Sequence, residues 1–125
     1  MSYQRNIGAY LQSEQAALLG NPLTGQYLLS ANGAIDPHSP GSYVITKGSI
    51  CALTLGAPLA GTEDGLQITI YSFTAFQHTL TTAGLLQTGA AAVNTGTWST
   101  SAGGQMVLIA FNGKWIADGN GVVFS

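Results

Sequence analysis

Charge is what this sequence lacks most. Asp, Glu, Lys and Arg together make up 6% of its 125 residues, against about 25% in an ordinary soluble protein. Solvation therefore falls to Thr, Ser, Asn, Gln and the backbone. Uncharged polar side chains cost less to desolvate than ions, each of which carries a penalty of several kcal/mol. A surface built from them is suited to burial against a partner. The shortage of charge does not imply disorder, because the hydrophobic fraction is 46% and disorder goes with low hydrophobicity and high net charge. At this length one domain buries roughly two thirds of the surface its unfolded chain exposes and holds a core without staples.

The cations Arg5, Lys47 and Lys114 lie far apart, and the net charge is −2. Phosphate binding needs several cations on one face, since counterion release supplies most of the affinity, so nucleic acid is not an expected partner. Cysteine is also scarce. Cys51 is the single one, set between Ile50 and Ala52 in an apolar run, which excludes an intrachain disulfide and fits a buried small side chain better than a nucleophile. The N-terminus, Met1-Ser2-Tyr3-Gln4-Arg5-Asn6, has no apolar h-region, and no stretch approaches the ~20 apolar residues that span a bilayer. The expectation is a chain made in the cytoplasm that has no membrane partner.

What is present divides at about Gly25. Residues 1–25 are rich in Gln, Ala and Leu and end at Asn21-Pro22-Leu23-Thr24-Gly25, a turn signal. They read as an extended or partly helical N-terminal arm. Leu11, Gln15 and Leu18 fall near helical spacing, which points to a short helix from about Ser13 to Leu19 with Ser13 as N-cap and Gly20 as stop. Residues 26–125 show short apolar or alternating runs separated by Gly, Pro, Asn and Asp, the pattern of an all-β domain, an antiparallel β-sandwich or jelly-roll-like barrel.

Strands are expected at about Gln26 to Ala31, Ser42 to Lys47, Ser49 to Leu55, Gly65 to Phe73 and Phe76 to Thr82. Others are expected at Gly96 to Thr100, Gln105 to Phe111, Lys114 to Ala117 and Val122 to Phe124. In the fourth, Leu66, Ile68 and Ile70 alternate with Gln67, Thr69 and Tyr71, as in a half-buried strand. Asn112-Gly113 between two such runs supplies the positive φ angles of a type I′ hairpin. The 17 Gly residues follow no fixed period, and no internal repeat of useful length appears.

Asp36-Pro37-His38-Ser39-Pro40 offers an acid, a base and a hydroxyl within one loop. Side chains so close in a Pro-rich turn rarely converge on one point, and an exposed turn is the expectation. Asp36, His38 and His78 lack the spacing of a metal site. Asp118-Gly119-Asn120-Gly121 has no downstream carboxylate to close a calcium shell, and Glu63-Asp64-Gly65 reads as a turn. No cofactor is expected. His78, beside Thr79 in an expected strand, reads as a surface or interface His that bonds across the sheet. Trp98 and Trp115 read as core or interface residues with the indole N–H on a carbonyl, in preference to a sugar-binding face.

The segments Gly41-Ser42-Tyr43-Val44-Ile45-Thr46-Lys47, Thr54-Leu55-Gly56-Ala57-Pro58, Asp64-Gly65-Leu66-Gln67-Ile68-Thr69-Ile70, Thr74-Ala75-Phe76-Gln77-His78-Thr79-Leu80-Thr81 and Gly113-Lys114-Trp115 together resemble small structural proteins of tailed bacteriophages. The likeness spans about Gly41 to Phe124, and its motifs are structural punctuation with no functional signature. In size the chain is most similar to head decoration, or cement, proteins. The resemblance implies a non-catalytic homodimer or homotrimer on the capsid exterior, with the major capsid protein as partner. A tail-fibre or tail-tip module that binds a host receptor or glycan is the alternative, although the chain has neither a repetitive nor a coiled-coil stalk. The candidate interface residues are Tyr3, Tyr10, Leu11, Leu18 and Leu19 of the arm, with His78 and Trp98.

Overall fold

The computed structural model describes residues 26–89 and 91–125. The expected N-terminal helix and the arm residues Tyr3, Tyr10, Leu11, Leu18 and Leu19 lie outside the described residues. Within them the chain is all-β. In order, the strands are β1 (Gln26–Leu29), β2 (Gly33–Ile35), β3 (Gly41–Ile45), β4 (Ala52–Leu55) and β5 (Gln67–Ser72), then β6 (Thr79–Gln87), β7 (Ala92–Trp98), β8 (Gln105–Phe111), β9 (Lys114–Asn120) and β10 (Val122–Phe124).

The first six strands alternate between two ribbons. β1, β3 and β5 lie side by side and parallel, in register Gln26↔Ser42↔Thr69. β2, β4 and β6 do the same, in register Gly33↔Leu53↔Leu80. The chain thus winds through three stacked turns, each using one strand per ribbon. The remaining strands are largely antiparallel. β8 pairs with β5, β9 with β8, β7 with β6, and β10 with β7. β9 also meets the far end of β6 in parallel, through Leu86↔Trp115 and Gln87↔Ile116. The resulting order, β1-β3-β5-β8-β9-β6-β4-β2, is one mixed sheet curled into a half-barrel.

The all-β, barrel-like fold is as expected, and within it five strand pairs are parallel where antiparallel neighbours were expected. Parallel neighbours need a long crossover, and here the crossover of each ribbon is a strand of the other. Alternation along a strand reports which face is buried and carries nothing about strand direction. The turns are also unequal in length, so stacking leaves no sequence repeat.

Curling depends on a bulge in β6. The β6–β7 register shifts between Thr81 and Leu86, and Gly84 sits there with φ 69°. Thr82 Oγ1 accepts the Leu85 N–H at 3.1 Å and donates to Asn94 O at 3.1 Å. A bulge bends its strand and raises its twist. Accordingly, the first half of β6 pairs with β4 and the second with β9. The expected strand stopped at Thr82, whereas β6 continues through the bulge to Gln87.

Inward positions form one core that includes Tyr43, Ile45, Leu53, Ile68, Ile70, Leu80, Leu86, Met106, Leu108 and both Trp98 and Trp115. Each such aliphatic side chain contributes roughly 1.5–3 kcal/mol on burial. The β8–β9 hairpin turns on Asn112 (φ 52°) and Gly113 (φ 77°), the type I′ geometry expected from Asn-Gly. Asp64 Oδ1 holds that turn by accepting the Asn112 N–H at 2.9 Å. Trp115 Nε1 donates to Gly56 O at 2.9 Å and ties β9 to the end of β4.

β7 reaches the core at Gly96, which pairs with Leu80 and Phe124. A Cβ there would overlap Met106 Cε and press on the Phe124 ring. Gly96→Ala is expected to cost ~1–3 kcal/mol by overpacking, measured by urea denaturation. Gly33→Ala, where a Cβ meets nothing within 4 Å, should leave the midpoint in place; equal midpoints for both variants would contradict the packing account.

Candidate assembly surface

Two expected interface residues, His78 and Trp98, are fully buried within this chain. His78 was expected to face outward in a strand, but it precedes β6 by one residue and turns inward. Its Nδ1 accepts the Cys51 N–H at 3.0 Å. A backbone N–H can only donate, so Nδ1 is bare and the ring proton sits on Nε2. Nε2 lies 3.0 Å from both Thr74 O and Thr74 Oγ1, and the Thr74 hydroxyl gives its own proton to Lys47 O at 2.7 Å. The His78 carbonyl accepts the Trp98 N–H at 2.9 Å, and the Cys51 carbonyl accepts the Thr79 N–H at 3.0 Å. This imidazole thus joins the β3–β4 connection to the β5–β6 connection. Burial pushes the Cys51 thiol above its ordinary pKa.

Trp98 packs its Cδ1 over Gly104, where a Cβ would come within 2.9 Å. The indole N–H of Trp115 meets a carbonyl as expected, whereas Trp98 Nε1 is buried without an acceptor among the described residues.

The Asp36–Pro40 loop is a turn built on Asp36. Its carboxylate accepts the His38 N–H at 2.9 Å and the Ser39 hydroxyl at 3.0 Å. The His38 ring points away to Glu63, with Nδ1 2.8 Å from Oε1, so acid, imidazole and hydroxyl do not form one relay. Glu63 also accepts the Leu59 N–H at 2.7 Å, which makes it the clasp between this loop and the one before β5. The His38 N–H, and then the Ser39 hydroxyl, hold the Asp36 carboxyl below its ordinary 3.8. The Leu59 N–H, and then His38, hold Glu63 below its ordinary 4.5.

The surface that sequence reasoning missed is the outer face of β1-β3-β5-β8-β9. Its outward positions include Leu28, Val44, Tyr71, Val107, Ile109, Phe111 and Ile116, interleaved with Gln, Ser, Thr and Asn. The charges on these outward positions are Lys114 and Asp118, both on β9. Leu28 and Val44 are cross-strand neighbours, as are Val44 and Tyr71, and Ile109 and Ile116. Phe73, just beyond β5, is 73% exposed and Phe111 58%. Two depressions mark this face. One, of about 570 Å³, is lined by Gln26, Leu28, Ser42, Val44, Thr46, Tyr71 and Phe73. The other, of about 250 Å³, lies among Gln87, Phe111, Asn112, Lys114 and Ile116. The sequence does hold a signal for this face: Gln105 to Phe111 is apolar in both alternation registers, as in a strand covered on both sides.

The chain matches no protein-family model and no curated protein sequence.

The two clasped carboxylates set an acid limit. The unfolded chain takes up protons at the ordinary values, so their stabilisation is complete above those values and is lost as pH falls through the lower folded-state values. The thermal midpoint should drop between about pH 5 and pH 2, and the slope should flatten in Asp36→Asn/Glu63→Gln. An unchanged slope in that double variant would remove the clasp from the account.

Proposed function

We propose that this protein is a non-catalytic structural subunit of a bacteriophage particle, a capsid decoration (cement) protein. It self-associates as a homodimer or homotrimer and binds the major capsid protein on the outside of the head. The observation that carries the assembly part is the apolar outer face, on whose β8–β9 end Ile109, Phe111 and Ile116 are exposed beside Lys114 and Asp118. Covering such side chains yields on the order of 1–2 kcal/mol each. The Thr, Gln and Asn between them exchange water for partner hydrogen bonds without an ionic desolvation penalty. Each contact is modest, but many copies on one shell add through avidity. The capsid as the particle is supported by the sequence resemblance over Gly41 to Phe124.

The test is co-sedimentation with expanded capsids that lack the protein, comparing the natural chain with Phe111→Asp/Ile116→Asp. The natural chain is expected to pellet with capsids at low and high salt, because apolar contacts are screened little. The variant, folded by circular dichroism, should bind roughly tenfold or more weakly. A natural chain that ignores capsids and binds a host glycan would move the assignment to a tail-fibre or tail-tip module.

A further inference from the structure

The two charges on the outer face stand on one strand. β9 turns Lys114, Ile116 and Asp118 outward and buries Trp115 and Ala117, so the cation and the carboxylate lie four positions apart, about 13 Å at strand rise, with Ile116 midway. Neither forms an ion pair within its own chain among the described residues. Across the strands, Ile116 is in register with Gln87 of β6 and Ile109 of β8, and Ile109 with Gln67 of β5. This row divides the face, with Lys114 and Phe111 on one side of it and Asp118 and Val107 on the other.

We propose that this face pairs with the same face of a second copy about a two-fold axis lying along that row, so that Lys114 meets the partner's Asp118 and Asp118 meets the partner's Lys114. The pairing rests on the self-association proposed above and is independent of the capsid. A two-fold axis that brings one face onto its copy lies in the plane between the two sheets. An axis along β9 would set Lys114 against the partner's Lys114 and Asp118 against the partner's Asp118, and like charges so placed repel. An axis across the strands reverses β9 and matches each charge to its opposite. A surface whose two charges exchange places on reversal is guaranteed a match in its own copy. Residues on the axis then meet their counterparts. Ile109 and Ile116, both exposed, meet apolar side chains, and Gln67 and Gln87 meet amides, which both donate and accept. Facing sheets pack about 10 Å apart, a gap that the long Lys114 side chain can cross. The apolar side chains hold the copies together, and the ion pairs select the orientation.

The test is the strength of self-association of the full chain, measured by analytical ultracentrifugation at about 0.1 M NaCl. Lys114→Asp sets Asp against Asp, and Asp118→Lys sets Lys against Lys. Each variant, folded by circular dichroism, is expected to dimerise roughly tenfold or more weakly. The double exchange Lys114→Asp/Asp118→Lys restores the match and should return the dimer to its natural strength. An equal mixture of the two single variants should form mixed dimers in preference to either variant alone. Single variants that dimerise as the natural chain does, or a double exchange no tighter than the singles, would overturn this geometry and leave self-association standing. A natural chain that stays monomeric would overturn both.

Discussion

The fold depends on one neutral imidazole. Each of the three stacked turns crosses between two parallel ribbons, and a crossing without a helix leaves backbone groups to be satisfied inside the protein. His78 meets that demand: Nδ1 takes the Cys51 N–H and Nε2 gives its proton to Thr74. A neutral imidazole accepts on one ring nitrogen and donates on the other, and so serves both connections at once. With the second and third turns joined there, β6 is aligned to bend at its bulge and bring Leu86 to Trp115. The core then closes around the two Trp residues.

Closure on the inside leaves the outer face to be explained. A core this complete has no use for Ile109, Phe111, Ile116, Leu28 or Phe73, all of them exposed. Apolar patches of more than a few hundred Å² on a monomer commonly mark interaction sites. The scarcity of charge in the whole chain and the apolar outer face express one property, a surface that can be dehydrated cheaply. The carboxylates of exposed Asp36 and half-buried Glu63 are used in turns.

Much of the local structure was legible in the sequence. Asn112-Gly113 fixed the hairpin because only positive φ fits a two-residue loop, and the alternation of Ile68 and Ile70 with Gln67 and Tyr71 marked a half-buried strand. Strand direction was not legible, since the alternation along a strand reports its buried face and not the direction of its neighbour. β2 was missed because Gly33-Ala34-Ile35 is short and punctuated like a loop. His78 was misplaced because a polar residue beside a strand reads as exposed, and its burial depends on Cys51 and Thr74, which only the winding of the chain brings together. Trp98 was placed at an interface by the same ambiguity, since large aromatic residues serve cores and interfaces alike.

Assembly through an apolar face with few charges is the central claim, and the mass of the full chain in solution by light scattering at about 0.1 M and about 1 M NaCl tests it most directly. The account predicts two or three times the 12.8 kDa of one chain at both salt concentrations. A mass of one chain throughout, or an oligomer that dissociates as salt rises, would contradict it.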